Sequence, residues 1–155
     1  MSRFFEDYLV GESIMSPART ITEADISIIL GITRYMEPLM INEEFARQSH
    51  FGTRVAPGRL AVLFMGGMAG NTGIFGLDNL IGLVGLDNIQ FKSPLKAGDT
   101  IRTEVKITGK KETSKPDRGV VFHSETCLNQ HHQVVATLDS AHLIKTRPGM
   151  GVTSA

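Results

Sequence analysis

The chain has 155 residues, of which 41% are hydrophobic and 21% are charged, a composition typical of one globular domain. Its 16 basic residues balance 16 acidic residues, so the formal net charge is +0. No basic face is implied, and we therefore expect neither nucleic acid nor an anionic membrane surface among its partners. No stretch approaches the ~20 uninterrupted apolar residues that span a membrane.

The compartment is indicated by the cysteine content and the first residues. Cys127 is the only cysteine and cannot form an internal disulfide, which fits a reducing environment. The opening MSRFFEDYLVGE carries acidic residues and lacks a long apolar run, so we expect no signal peptide. These features predict a cytoplasmic protein. We expect one domain over residues 1–155, with a frayed tail at 148–155.

The first predicted elements are an edge strand and a helix. Residues 12–19 favour an edge strand that is interrupted at Pro17. Thr22 and Asp25 have the spacing of a capping box, in which each side chain bonds the other residue's backbone amide. The helix that begins there has an apolar face and ends at Gly31.

The segment from Gly31 to Leu60 joins this helix to a second helical region. Pro38 disfavours helix at the residue before it, so we expect irregular chain over 34–41 that crosses a surface or a cleft. Asn42 is a good N-cap and begins a short helix with two acidic residues in its first turn.

Residues 57–69 form the most apolar helical segment and begin at a proline with a preset φ. Its predicted apolar face consists of Leu60, Leu63, Phe64 and Met68. Because glycine is costly inside a helix, the pair Gly66 and Gly67 predicts close packing against another element. The helix amides near Gly58 can receive an oxyanion or a polarised carbonyl.

From Leu80 onward the pattern changes to strands. Four segments are apolar or alternate between apolar and polar residues: 80–91, 100–107, 120–127 and 134–144. A helical layer followed by sequential strands predicts an α+β domain with an antiparallel sheet.

Several of these residues carry a resemblance to the MaoC-like (R)-specific enoyl-CoA hydratases, which have a hot-dog fold. The family signature reads roughly T-G-D-x-N-P-x-H and, further on, F-G-x-x-x-A-H-G. The residues that match it are Thr33, Pro38, Leu39, Ala46, Phe51, Gly52, Ala56 and Gly58. The segment 91–101 also matches the pattern F-x-x-P-x-x-x-G-D, as does Asn129-Gln130 after the next strand. The resemblance covers nearly the whole chain and implies a hot-dog domain with an antiparallel sheet wrapped around a central helix.

The catalytic letters of that signature are replaced in this chain. In the family, an Asp and a His activate water and deliver it to the enoyl thioester, and their positions here hold Tyr35 and Met40. Tyrosine titrates near ~10 and a thioether neither takes nor gives a proton, so the usual route is unsuited to this chain. The family's Asn, its Gly and its second His correspond here to Glu37, Arg34 and Pro57.

Glu37 is the candidate that replaces the base. It is the only carboxylate in the loop, and in an extended chain residues two apart face the same side, which places Glu37 beside Tyr35. The candidate catalytic residues are therefore Glu37 as base and Tyr35 as proton donor. The alternative is that Glu37 is a solvated loop residue without a catalytic role.

Candidate substrate-binding residues surround the same segment. Arg54 and Arg59 could contact the phosphates of an acyl-CoA, and Arg34 is a third guanidinium nearby. Gly58 contributes a backbone amide, and Met40 makes the pocket more apolar than that of the family. His50, His123, His131, His132 and His142 show no metal-ligand spacing, so we expect no metal, and we expect no cofactor.

Three functions stay open at this stage. The first is an acyl-CoA hydratase or dehydratase without the usual dyad. The second is a non-catalytic acyl-CoA-binding protein or the inactive subunit of a hydratase complex, and the third is a hot-dog thioesterase. The resemblance implies an acyl-CoA or acyl-carrier thioester as ligand, and a homodimer, a higher homo-oligomer or a heteromer with a catalytic homologue. We expect dimerisation along a sheet edge, because the last strands would otherwise leave an unprotected edge.

Overall fold

A computed structural model describes residues 2–149 of the chain. A 3-10 helix spans Phe5–Asp7, and the helices α1 to α4 span Glu23–Thr33, Pro38–Ile41, Glu43–Arg47 and Gly58–Gly70. The strands β1 to β6 span Ser13–Met15, Arg19–Thr20, Leu80–Phe91, Thr100–Glu112, Arg118–Leu128 and Val134–Lys145. Most of the tail predicted at 148–155 lies outside the described residues.

The strands form one antiparallel sheet in the order β1, β4, β5, β6, β3, with β2 also paired to β4. The four strands predicted from Leu80 onward are confirmed, and β4 extends five residues beyond its predicted end to Glu112. The expectation that the last strands form the free edge was wrong. β6 pairs on both sides, with β5 and with β3, and the open edge belongs to β3.

The capping box of α1 is confirmed. The backbone amide of Asp25 donates to Thr22 Oγ1 at 3.1 Å, and Asp25 Oδ2 accepts from the amide of Thr22 at 2.9 Å. Asn42 likewise caps α3 by accepting from the amide of Phe45 at 3.1 Å. The prediction of irregular chain over 34–41 was wrong in its second half, because Pro38 occupies the first position of α2, where its missing amide costs nothing.

Helix α4 lies against the inner face of the sheet and contacts β4, β5 and β6. Its buried residues are Leu60, Ala61, Met65, Met68 and Ala69. Leu63 is 62% exposed, so the apolar face predicted from the sequence was wrong by part of a turn. The close packing predicted at Gly66 and Gly67 was also wrong, since no atom lies within 4 Å of the Cβ position of either residue.

The interior is divided into two hydrophobic clusters. The first surrounds α1 and the N-terminal half of α4 and includes Cys127 and Leu138 of the sheet. The second surrounds Tyr8 and the segment after α4, and includes Val121 and Ile144. Along β5 and β6 the residues between these clusters are polar, and they are described with the site below. Within residues 2–149, no helix is both long enough and apolar enough to cross a membrane.

Candidate active site beside helix α4

Tyr35 and Arg59 meet at the N-terminal end of α4. Arg59 Nη1 donates a hydrogen bond of 3.0 Å to the phenolic oxygen of Tyr35. The Tyr35 ring is half-buried and packs against the first hydrophobic cluster. In this contact the Tyr35 oxygen accepts from Arg59, so the Tyr35 O–H group can still donate a hydrogen bond beside the positive charge of the guanidinium group.

The structure does not join Glu37 to this pair. Glu37 is exposed, and its side chain makes no hydrogen bond or ion pair with any described residue. Met40 is half-buried and packs against the first hydrophobic cluster, and it is not among the residues that line the two cavities described below. A catalytic pairing of Glu37 with Tyr35 stays a prediction and requires the Glu37 side chain to turn inward.

Arg54 is already neutralised by two carboxylates. Its Nη2 lies 2.7 Å from Glu23 Oε2, and its Nε lies 3.4 Å from Glu43 Oε2. The backbone amide of Arg54 and the hydroxyl of Thr53 hold the pKa of Glu43 below its usual value. No described carboxylate pairs with Arg59, so Arg59 is the better placed of the two guanidinium groups to receive a ligand phosphate.

The start of α4 offers unsatisfied backbone amides. The first amides of a helix have no intrahelical acceptor, and the N-cap Pro57 supplies no side-chain bond. Gly58 lines a cavity of about 340 Å³ together with Phe91. A Cβ at Gly58 would lie 3.1 Å from the Phe91 ring, so a side chain at this position would require the ring to shift by a few tenths of an ångström.

A larger cavity of about 780 Å³ lies beside the same helix, between α4, β3 and β6. Arg59 borders it at one end and Gly70 at the other, while Phe91 borders both cavities. Its volume falls within the range of pockets that bury small organic ligands. Its apolar wall consists of Val62, Leu63, Leu77, Leu80, Leu83, Leu86, Ile89 and Leu138. The glycines Gly66 and Gly67 keep the helix side of the cavity open.

Four polar side chains lie on the inner face of β5 and β6, and we call them the polar cluster: His123, Glu125, Ser140 and His142. His123 Nε2 and Glu125 Oε1 lie 3.1 Å apart, and the two side chains are 0% and 3% exposed. The His123 and His142 rings stack at 5.0 Å, and Phe75 packs against both at 4.7 and 4.8 Å. The cluster occupies the boundary between the two hydrophobic clusters.

Four atoms of the polar cluster have no hydrogen-bond partner among the described residues: His123 Nδ1, Glu125 Oε2, Ser140 Oγ and His142 Nδ1. A buried polar atom without a partner costs about 1–3 kcal/mol. Burial, together with the neighbouring His123, lowers the pKa of His142 to about 4, so this imidazole is neutral at neutral pH. Among residues 2–149, no group of His, Cys, Asp or Glu side chains is arranged to hold a metal ion.

The spacing of the histidines along the chain does not reveal this cluster. His123 lies on β5 and His142 on β6, and only the direction of their side chains brings them together. The signal is the alternation itself: Val121, His123, Glu125 and Cys127 occupy successive inward positions of β5. His123 and Glu125 occupy two of these inward positions, where a strand of a hydrophobic core normally has apolar residues.

The architecture is that of a hot-dog protein. A Mycobacterium tuberculosis protein with a double hot-dog fold matches at a TM-score of 0.80, covering 96% of this chain and 46% of that chain with 16% identity. The monoamine oxidase regulatory protein of Archaeoglobus fulgidus matches at a TM-score of 0.88, covering 95% of this chain and 97% of that chain with 29% identity. The hot-dog fold predicted from the sequence is therefore confirmed.

The sequence comparisons identify the family. The model of the MaoC like domain matches residues 8–126. The (R)-specific enoyl-CoA hydratase of Rhodospirillum rubrum is 32% identical over 124 residues, which cover 80% of this chain and 80% of that protein. The chain belongs to the MaoC-like domain family and is a homologue of its hydratases.

Proposed function

We propose that this chain binds acyl thioesters of CoA or of an acyl carrier and catalyses the reversible hydration of enoyl thioesters. The observation that carries the proposal is that Arg59, in the first turn of α4, both borders an apolar cavity and donates a hydrogen bond to the Tyr35 hydroxyl group. Membership of a family whose Rhodospirillum rubrum member is named an enoyl-CoA hydratase supports the reaction class.

Each part of the thioester has a counterpart in this arrangement. The acyl chain occupies the apolar cavity, and the Arg59 guanidinium group holds the Tyr35 hydroxyl group beside the thioester. The thioester carbonyl accepts hydrogen bonds from the amides at Gly58, which stabilise the negative charge that develops on its oxygen. Phe91 borders both cavities and so lies where the acyl chain would pass from the carbonyl into the larger one.

Hydration needs a base and a proton donor. A base removes a proton from water, the oxygen bonds to the β-carbon, and a proton is delivered to the α-carbon. We assign the base to Glu37 and the donor to Tyr35, whose hydroxyl is fixed by Arg59. The assignment requires the Glu37 side chain to leave its exposed position when substrate binds.

The exposed position of Glu37 favours a second function, that of a non-catalytic acyl-thioester-binding protein or an inactive subunit. Incubation with crotonyl-CoA separates the two when enoyl absorbance and free thiol are followed in the same samples. Loss of absorbance without thiol is expected. Absence of both signals, with calorimetric binding retained, would leave only the binding function, while thiol release would identify a thioesterase.

Two substitutions test the assigned roles. Glu37→Gln should abolish hydration without changing the far-UV circular dichroism spectrum, and Tyr35→Phe should reduce the rate by at least about a hundredfold. Glu44→Gln is the matched control, because Glu44 is an exposed glutamate on the neighbouring helix α3. Equal rates for Glu37→Gln and Glu44→Gln would remove Glu37 from the mechanism.

We also propose that the protein forms a homodimer through β3. This strand is 12 residues long, pairs on one side only and exposes apolar side chains, among them Leu83 at 56% and Val84 at 58%. An open, apolar edge of this length favours pairing with a second strand. Val84→Lys should shift the mass measured by light scattering from dimer to monomer, whereas Ile28→Lys on α1, equally exposed, should not.

A further inference from the structure

The polar cluster forms part of the wall of the larger cavity. Glu125, Ser140 and His142 line it opposite the Gly66–Gly70 end of α4. His142 is half-buried, so its ring is the member of the cluster that a ligand reaches first. Glu125 and Ser140 are more than nine-tenths buried, and each has one side-chain oxygen without a hydrogen-bond partner among the described residues.

The internal hydrogen bonding of the described residues does not use these atoms. Glu125 contacts His123 through Oε1 only, which leaves Oε2 unpaired. Ser140 Oγ can both donate and accept, and the neutral imidazole of His142 offers one donor and one acceptor. Paired donors and acceptors at one end of an apolar cavity are suited to a ligand group that itself both donates and accepts.

The cluster lies at the end of the cavity that is remote from the candidate catalytic residues. Arg59 and Gly70 are separated by 11 residues of α4, or roughly 16 Å at the rise of an α-helix. Along β6, Ala136 pairs with Phe91, and His142, six residues further on, pairs with Leu83, a separation of roughly 20 Å at the rise of a strand. Glu125 lies opposite Leu138 and is the member of the cluster nearest to Phe91. A thioester held at Gly58 would therefore bring only the far end of its acyl chain to the cluster.

The charges at the polar cluster favour some polar groups of a ligand over others. The polar cluster contains one carboxyl group, that of Glu125, and no guanidinium or ammonium group. Among the described residues that line the cavity, Arg59 is the only guanidinium or ammonium group, and it lies at the opposite end. A carboxylate at the cluster would meet no positive charge and would face the oxygens of Glu125. A hydroxyl group satisfies the same atoms without that repulsion.

We infer that the cavity selects acyl chains that carry a hydroxyl group at their far end, which is hydrogen-bonded by Glu125, Ser140 and His142. This inference rests on the proposed thioester function for the position of the other end of the ligand. It defines the ligand class as ω-hydroxyacyl thioesters and makes the cluster a specificity determinant distant from the reacting carbons.

Calorimetric titration with matched ligands tests the inference. Octanoyl-, decanoyl- and dodecanoyl-CoA are compared with their ω-hydroxy and ω-carboxy forms on the same protein. At the length that reaches the cluster, the ω-hydroxy form should bind at least about tenfold more tightly than the unsubstituted form. The ω-carboxy form should bind more weakly than either. Equal affinity at every length, or tightest binding of the ω-carboxy form, would overturn the inference.

Ser140→Ala should remove most of the preference for the ω-hydroxy form. Ser124→Ala is the matched control, because Ser124 lies one position along β5 from both His123 and Glu125 and therefore faces the other side of the sheet. A preference that survives in Ser140→Ala and in Glu125→Gln would overturn the assignment. Should either variant fail to fold, the comparison of ligands on the unaltered protein still decides the question.

Free fatty acids separate this inference from the proposed function. If ω-hydroxydecanoic acid binds more tightly than decanoic acid while the CoA group adds no affinity, the cavity inference stands and the thioester function fails. If CoA thioesters bind without a hydroxyl preference, the inference fails and the proposed function stands. Absence of binding in both series would overturn both.

Discussion

Protonation of His142 should weaken the fold at acidic pH. Burial lowers the pKa of this imidazole from 6.5 to about 4, with a further contribution from His123, whose ring stacks on it at 5.0 Å. Between these two pH values the unfolded chain binds a proton that the folded chain does not. Stability is therefore fully present above pH 6.5 and is lost as the pH falls towards 4, with no further loss from this group below that value.

The size of the effect follows from the shift. Each unit of pKa difference corresponds to about 1.4 kcal/mol, so the full shift would amount to about 3 kcal/mol. Because His142 is only half-buried, solvent screening reduces this, and we expect about 1–2 kcal/mol. About half of the loss falls between pH 7 and pH 5, and the remainder follows as the pH falls from 5 through 4.

The test is urea denaturation at pH 7 and at pH 5. Unfolding is followed by far-UV circular dichroism because the chain has no tryptophan. His142→Phe keeps an aromatic ring against Phe75 and removes the titrating group. On acidification, the free energy of unfolding of this variant should therefore fall by about 1 kcal/mol less than that of the unaltered protein. His131→Phe is the control, since His131 is exposed in the loop between β5 and β6. An imidazole resonance of His142 that titrates near 6.5, or an equal loss in the His142→Phe variant, would refute the reasoning.

Three further predictions concern the helices and the buried thiol. Gly66→Ala and Gly67→Ala should each raise the free energy of unfolding by up to about 1 kcal/mol, because both Cβ positions are open and alanine favours helix; a lower melting temperature would contradict this. Thr22→Ala should cost about 1 kcal/mol in urea denaturation by removing the cap of α1, whereas Ser114→Ala in an exposed loop should cost nothing measurable. Burial raises the pKa of Cys127 to about 12, so the thiol should react with a thiol reagent only after unfolding; rapid labelling of the native protein would show that this part of the core opens.

Much of the fold can be read from the sequence because its signals are local. Alternation over 80–91 places β3 at its observed bounds, and Thr22 with Asp25 places the start of α1 at its observed residue. These features depend on residues a few positions apart, and the same local chemistry operates in the folded chain.

The features that the sequence does not predict correctly depend on tertiary contacts, which local sequence patterns do not display. Whether Gly66 and Gly67 face a neighbour or an open cavity depends on where β3 and β6 lie, which is a tertiary question. The polar cluster is formed only when Glu125 of β5 and Ser140 of β6 are brought to the same face by the register of the sheet. The position of the Glu37 side chain relative to Tyr35 depends on side-chain rotamers in the segment before α2, which the sequence pattern does not determine.

The irregular register of β3 limits which strands can pair with its free edge. Its pairing with β6 shifts at three places, between Leu80 and Gly82, between Leu83 and Gly85, and between Asp87 and Gln90, and Asn88 has a φ of 50°. Each shift changes the direction and twist of the strand, so the free amides and carbonyls on its outer side do not follow one straight row. A regular strand from an unrelated protein would leave several of them unpaired, and the edge is therefore a poor template for fibril growth even though it is long and apolar.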